Sequence, residues 1–166
     1  TRVSEHSYYC SDFKFKKGLV SEKESSVYNL HVADKMWLNK SFKNTILQKI
    51  ARCEMDSKRY VYSDLGFILL QQVVESIVKL PMDLYLAKEF YAPMGLQRTM
   101  YLPLQKYSKE EIMPTAANDF LRRQDLCGYV HDEAAACMGG ISGNAGLFST
   151  ASEVAKIYQI CLLYTS

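Results

Sequence analysis

Tyr62, Ser63 and Asp64 set a phenol, a hydroxyl and a carboxylate in succession at the mouth of an apolar run, Leu65 to Val78. Groups of these types hold, pass or accept protons, and the start of a helix can fix them beside a pocket. An ordinary phenol titrates near pH ~10. Work as a base at neutral pH therefore demands a neighbouring cation that lowers the cost of phenolate. A tyrosine buried in the core and bonded to backbone is the alternative reading of Tyr62. Ser63 is expected to turn toward the helix end as its cap, and Asp64 suits the same role.

A second ordered turn spans Gly139-Gly140-Ile141-Ser142-Gly143-Asn144-Ala145-Gly146. Its glycines permit positive φ and close backbone approach. The lysine-threonine ending of a phosphate loop is absent, and no nucleotide fingerprint follows a strand. The Asn144 amide reads as a support that pins this turn. What the two segments lack between them is an activated nucleophile.

Helices must position both. Ser41 is placed to cap a helix reaching about Ala51, with Phe42, Ile46, Leu47 and Ile50 on one face. Asp64 to Val78 carries the clearest helical period. Leu65, Ile68, Leu69, Val73 and Ile77 form its expected buried stripe, widened by Leu70 and Val74. Pro81 begins a further helix to about Tyr91. Ser108 and Glu111 make a short capping box that Pro114 ends. A last helix starts at Thr150, with Glu153 as its reciprocal partner and Val154, Ala155, Tyr158 and Leu162 on the packed face. Residues 1 to about 30 read as irregular, with one short strand near Tyr28 to Val32. Met100 to Glu133 reads as loop of the kind that serves a site or a partner surface.

At 166 residues the chain can bury one core. A formal net charge of +2 and a single basic block, Lys14 to Lys17, exclude a nucleic-acid surface. No run of apolar residues long enough for a membrane-spanning helix occurs. Five cysteines without CxxC spacing argue against a disulfide framework, and Cys53, Cys137 and Cys161 are expected in the core. His131-Asp132-Glu133 is expected in a loop, and neighbouring side chains there diverge too far for all three to meet on one metal ion.

The segment Tyr62 to Leu70 resembles the Tyr-x-Asn element and following helix of serine β-lactamase-like hydrolases, among them class C β-lactamases, D-alanyl-D-alanine carboxypeptidases and related esterases. Phe90 to Thr99 resembles that family's Pro-Leu-Gly-Met-x-x-Thr segment. Gly139 to Lys156 resembles its glycine turn and next helix. His131 to Ala135 is similar to the stretch before that turn in bacterial β-lactamase-like domains, some of them fused behind a family 3 glycoside hydrolase. The resemblance covers about residues 28 to 163.

It implies an α+β serine β-lactamase/transpeptidase-like fold, of which this chain is the mainly α helical subdomain. Residues 1–166 would be a partial domain truncated at both ends, with an irregular segment at 1–30 and helices and connecting loops at 31–166. The implied reaction is acyl transfer, in which a serine attacks an amide, ester or β-lactam carbonyl. Tyr62 would be the general base or proton shuttle, and Asp64 a substrate or network contact. Ser63, Gly140, Gly143, Asn144 and Gly146 would form the structural turns near the site. No cofactor or metal is implied. The implied partners are the missing remainder of the domain and a small amide, ester or peptidoglycan-like substrate, in an extracytoplasmic setting.

The family's Ser-x-x-Lys nucleophile helix should precede the tyrosine, and a Lys-Thr-Gly-like strand should follow the last helix. Ser76-Ile77-Val78-Lys79 matches the pattern but lies about 20 Å along the helix from Tyr62. Ser11-Asp12-Phe13-Lys14 has the right order without an apolar helix around it. The isolated chain is therefore expected to be inactive. A non-catalytic binding domain on the same fold stays open beside that reading.

Overall fold

The computed structural model describes residues 15–53 and 62–164. The Ser11-x-x-Lys14 match lies outside the described residues. Among the described residues helices dominate, with two small antiparallel sheets.

The first sheet joins β1 (Val20–Ser21), β2 (Tyr28–Ala33) and β3 (Met36–Asn39) in the order β1-β3-β2. Tyr28 to Val32 was expected as a strand. The hairpin partner β3 is too short to show a period of its own. Lys35, at φ 51°, closes the turn between them. His31 faces Trp37 across this pair, and Val20 faces Leu38.

α1 (Phe42–Ala51) buries Phe42, Ile46 and Ile50. Its expected cap is corrected: Ser41 is already helical and makes no side-chain cap. The Asn39 carboxamide oxygen instead accepts from the Ser41 amide at 3.0 Å and its hydroxyl at 2.8 Å. These three α1 residues join Val32, Leu38, Ile68, Ala136, Cys137 and Met138 in the main core. Of the cysteines expected inside, Cys137 is buried but Cys53 and Cys161 are exposed.

α2 (Asp64–Val78) has the expected limits but not the expected buried face. Only Ile68 and Gln71 are buried, while Leu69, Leu70 and Val73 are exposed and Ile77 is 72% exposed. The helix leans on the core through a narrower strip, shifted toward Gln71. Lys79, at φ 58°, ends it in the left-handed conformation. α3 (Met82–Leu86) follows Pro81 and widens into a π-helical turn at Ala87–Tyr91. The chain then crosses 3-10 turns at Pro103–Gln105 and Lys109–Glu111, the latter with the expected Ser108–Glu111 capping box. β4 (Pro114–Ala116) and β5 (Leu126–Cys127) form the second sheet.

α4 (Glu133–Cys137) begins at Glu133, the last residue of the stretch expected as loop. Asp132 caps it, accepting from the Ala135 amide at 2.7 Å. α5 (Ala151–Tyr164) also departs from its expected packing. Val154, Ala155, Tyr158 and Leu162 are exposed, and Glu153 is the buried residue. Among the described residues no single helix is long and apolar enough to cross a membrane. α2 and residues 82–91 reach that length and apolar character only together, as a pair bent by 70°.

Candidate active site

Ser63 is extended at φ −151° and ψ 131°, and its hydroxyl accepts from the Leu65 amide at 3.3 Å. This cap ends the incoming chain at a fixed angle and sets Tyr62 just ahead of the first turn. The Tyr62 side chain is 64% exposed. Its hydroxyl donates to Asp64 Oδ1 at 3.1 Å, and its ring lies 6.0 Å from that of Phe67. Asp64 is the first helical residue, where a carboxylate complements the positive end of the helix dipole. In this arrangement Tyr62 is a hydrogen-bond donor. Acting as a base requires it to surrender that proton with a cation nearby.

The glycine-rich turn reaches the same helix. Gly140 and Gly146 hold φ values of 83° and 111°. Gly143 meets a different constraint, because a Cβ there would lie 2.2 Å from the Phe67 carbonyl oxygen. The turn is clamped to α2 by Gln71, only 2% exposed. Its Oε1 accepts from the Gly143 amide at 3.1 Å, and its Nε2 donates to Ile141 O at 3.3 Å and to Glu75 Oε1 at 3.0 Å. The other side of the turn is held by Asn144, whose Nδ2 donates to Asp132 Oδ1 at 3.1 Å. The Ser142 hydroxyl donates to Asn144 Oδ1 at 2.6 Å. Turn and phenol thus both meet the N-terminal half of α2, where Phe67 lies against each.

Gln71 escaped sequence reasoning, and neither the hold of Asp132 on the glycine turn nor that of Glu153 on residues 97–99 was expected. Gln71 and Gln72 interrupt the apolar run, and a glutamine on its core-facing side signals a buried amide that must find backbone partners. Glu153 makes half of its expected capping box, its amide donating to Thr150 Oγ1 at 3.4 Å. Its carboxylate turns elsewhere, accepting from the Gln97 and Arg98 amides and from Thr99 Oγ1 at 2.6 Å. That ties α5 to the segment after α3.

Ser76 is spent within its own helix, donating to Val73 O at 2.7 Å, and Lys79 is the left-handed cap beyond it. His131 and Glu133 do converge, with Asp119 rather than Asp132, so that one ligating atom of each lies within 4.8 Å of the others. Both Asp119 oxygens are engaged by the buried Arg122, Oδ1 by Nε at 2.9 Å and Oδ2 by Nη2 at 2.7 Å. Arg122 also donates to His131 O at 2.5 Å. A guanidinium in that position competes with any metal cation for the carboxylate.

The family model described as Beta-lactamase matches residues 24–164. A putative D-alanyl-D-alanine carboxypeptidase of Salmonella agona is 33% identical, over 81% of this chain and 34% of its own length. That of Salmonella schwarzengrund is 34% identical over the same shares. The chain therefore spans about a third of the length of these curated relatives. No solved structure matches.

Proposed function

The chain belongs to the beta-lactamase family of serine hydrolases, and on that premise we propose that it is one part of an enzyme that cleaves an amide, ester or β-lactam bond by acyl transfer. The observation carrying this reading is the open placement of the Tyr62 phenol at a capped helix entrance, 64% exposed and joined to Asp64. A phenol so placed can meet a serine and a lysine contributed by another part of the polypeptide. The lysine ammonium would draw Tyr62 away from Asp64 and favour the phenolate, which takes the serine proton as the acyl-enzyme forms and returns it to the leaving group. Gly143 and Asn144 hold the facing turn rather than exchange protons. The relatives named above favour a peptide ending in D-alanyl-D-alanine as substrate, and with it an extracytoplasmic location. The chain alone, lacking its nucleophile, would be inactive.

The test is acylation of the full-length parent by a penicillin, followed by intact mass. A stoichiometric adduct is expected, forming about 10²–10⁴-fold more slowly in Tyr62→Phe. The melting temperature should not move, since the ring is exposed. An adduct on the isolated 166-residue chain, or wild-type acylation in Tyr62→Phe, would overturn the assignment. Asp64 favours a second reading, a non-catalytic binding domain. Aspartate only accepts hydrogen bonds where asparagine both donates and accepts, and it repels an anionic substrate. A parent without Ser-x-x-Lys upstream of Tyr62 would decide for binding.

A further inference from the structure

The charge at the mouth of α2 bears on which substrates the candidate site can take. Asp64 is half-buried at the first helical position, and its Oδ1 accepts from the Tyr62 hydroxyl at 3.1 Å. No ion pair to it forms among the described residues. Other carboxylates near by are held by the fold itself. Asp119 is gripped by Arg122, Asp132 by Ala135 and Asn144, and Glu153 by residues 97–99. Asp64 has no such duty, because the Ser63 hydroxyl already caps the helix.

This inference rests on the hydrolase reading, in which the phenol takes a proton from a serine. That serine oxygen lies one hydrogen bond, roughly 3 Å, from the phenol oxygen. Asp64 Oδ1 lies 3.1 Å from the same phenol oxygen. The carboxylate therefore stands within roughly 6 Å of the attacking atom, inside the Debye length of about 8 Å at physiological salt. Once a lysine draws Tyr62 away, Asp64 loses its donor and its charge faces the substrate. The rings beside it favour the same kind of occupant. Tyr62 and Phe67 are both exposed, with centroids 6.0 Å apart, and an aromatic face attracts positive charge.

We propose that the site selects acyl groups carrying a cationic nitrogen, a protonated amine or a quaternary ammonium, within a few bonds of the scissile carbonyl. The Asp64 carboxylate attracts that charge, and the Tyr62 and Phe67 rings flank it. An asparagine at the same position both donates and accepts, and carries no net charge with which to discriminate. A carboxylate on the substrate meets repulsion at this point, so penicillin, an anion, acylates the protein slowly though to completion.

The probes are two p-nitrophenyl esters of one shape, γ-trimethylammoniobutanoate and its neutral isostere γ-tert-butylbutanoate, turned over by the full-length parent. The serine oxygen bonds to the acyl carbon as p-nitrophenol leaves with the serine proton, and water then frees the acid. Wild type is expected to favour the cationic ester about tenfold in kcat/KM at low salt, and less as salt is raised. Asp64→Asn should bring the two esters within about twofold of each other and quicken penicillin acylation several-fold, whereas Asp64→Glu should keep the preference. Comparing esters within one protein cancels any general loss of activity or folding. Phe67→Leu, at an exposed position, should lower the ratio about twofold with the charge intact. Equal rates for the two esters in wild type, or a preference unchanged in Asp64→Asn, would overturn selection by charge. An acyl-enzyme that forms without charge preference sinks this inference alone. If neither ester nor penicillin labels the parent, the hydrolase reading fails and this inference fails with it.

Discussion

Glu153 is a carboxylate in a nearly closed setting, 8% exposed. Burial pushes its carboxyl up, but hydrogen bonds from Thr99, Gln97 and Arg98 favour the ionised form and together leave it below the ordinary value of 4.5. A carboxyl lowered in the folded state gives its full stabilisation above the unfolded value and loses it as pH falls through the lower folded one. Urea midpoints of the parent should therefore decline as pH drops below that ordinary value. Glu153→Gln should flatten this decline and cost about 1–3 kcal/mol at pH 7, where the wild-type carboxylate is fully charged. Equal pH profiles for the two proteins would count against the ion-stabilised link. Gly143 carries a steric argument instead. A Cβ there meets the Phe67 oxygen at 2.2 Å and its carbon at 2.9 Å, both backbone atoms that cannot rotate aside. Gly143→Ala should lower unfolding free energy by about 1–3 kcal/mol, as overpacking does, read from denaturant midpoints.

Among the elements, α2 joins the two parts of the candidate site and also carries a local strain. Its C-terminal residue Lys79 holds φ 58° and ψ 28° without the freedom of glycine. An L-residue in that region costs about 1 kcal/mol or more, so Lys79→Gly should stabilise by about 0.5–1 kcal/mol after the greater chain entropy of glycine is counted. A lower urea midpoint in that variant would contradict the strain. The same helix shows why burial was misread from its period. Leu65, Ile68, Leu69, Val73 and Ile77 share an apolar stripe, and a stripe states that a face is fit for burial. Which part of the stripe meets the core depends on neighbours distant in sequence. Here Gln71 rotates the contact line by bonding Gly143 and Ile141, 72 and 70 residues away. α5 repeats the pattern, anchored by Glu153 rather than by Val154 or Tyr158.

Across the molecule, large apolar side chains on α2 and α5 remain exposed, among them Leu70, Ile77, Leu162 and Leu163. Exposed apolar surface on this scale marks an interface or promotes self-association. The isolated 166-residue chain is accordingly expected to bind hydrophobic dyes and to scatter light as oligomers at micromolar concentration. A monodisperse monomer that unfolds in two states with ~5 kcal/mol or more would oppose the reading as part of a larger domain. The sequence alone determined the extents of α1 and α2, a cap for α2 at Ser63 or Asp64, the Ser108–Glu111 capping box and the family. Each of these is written in contacts within about four residues, or in a motif order that needs no coordinates. Only the tertiary structure decided which apolar faces are covered, that Gln71 clamps the glycine turn to α2, and that Asp132 and Asn144 pin its other side. Those outcomes depend on pairings between residues far apart in the chain, and local spacing carries no information about them.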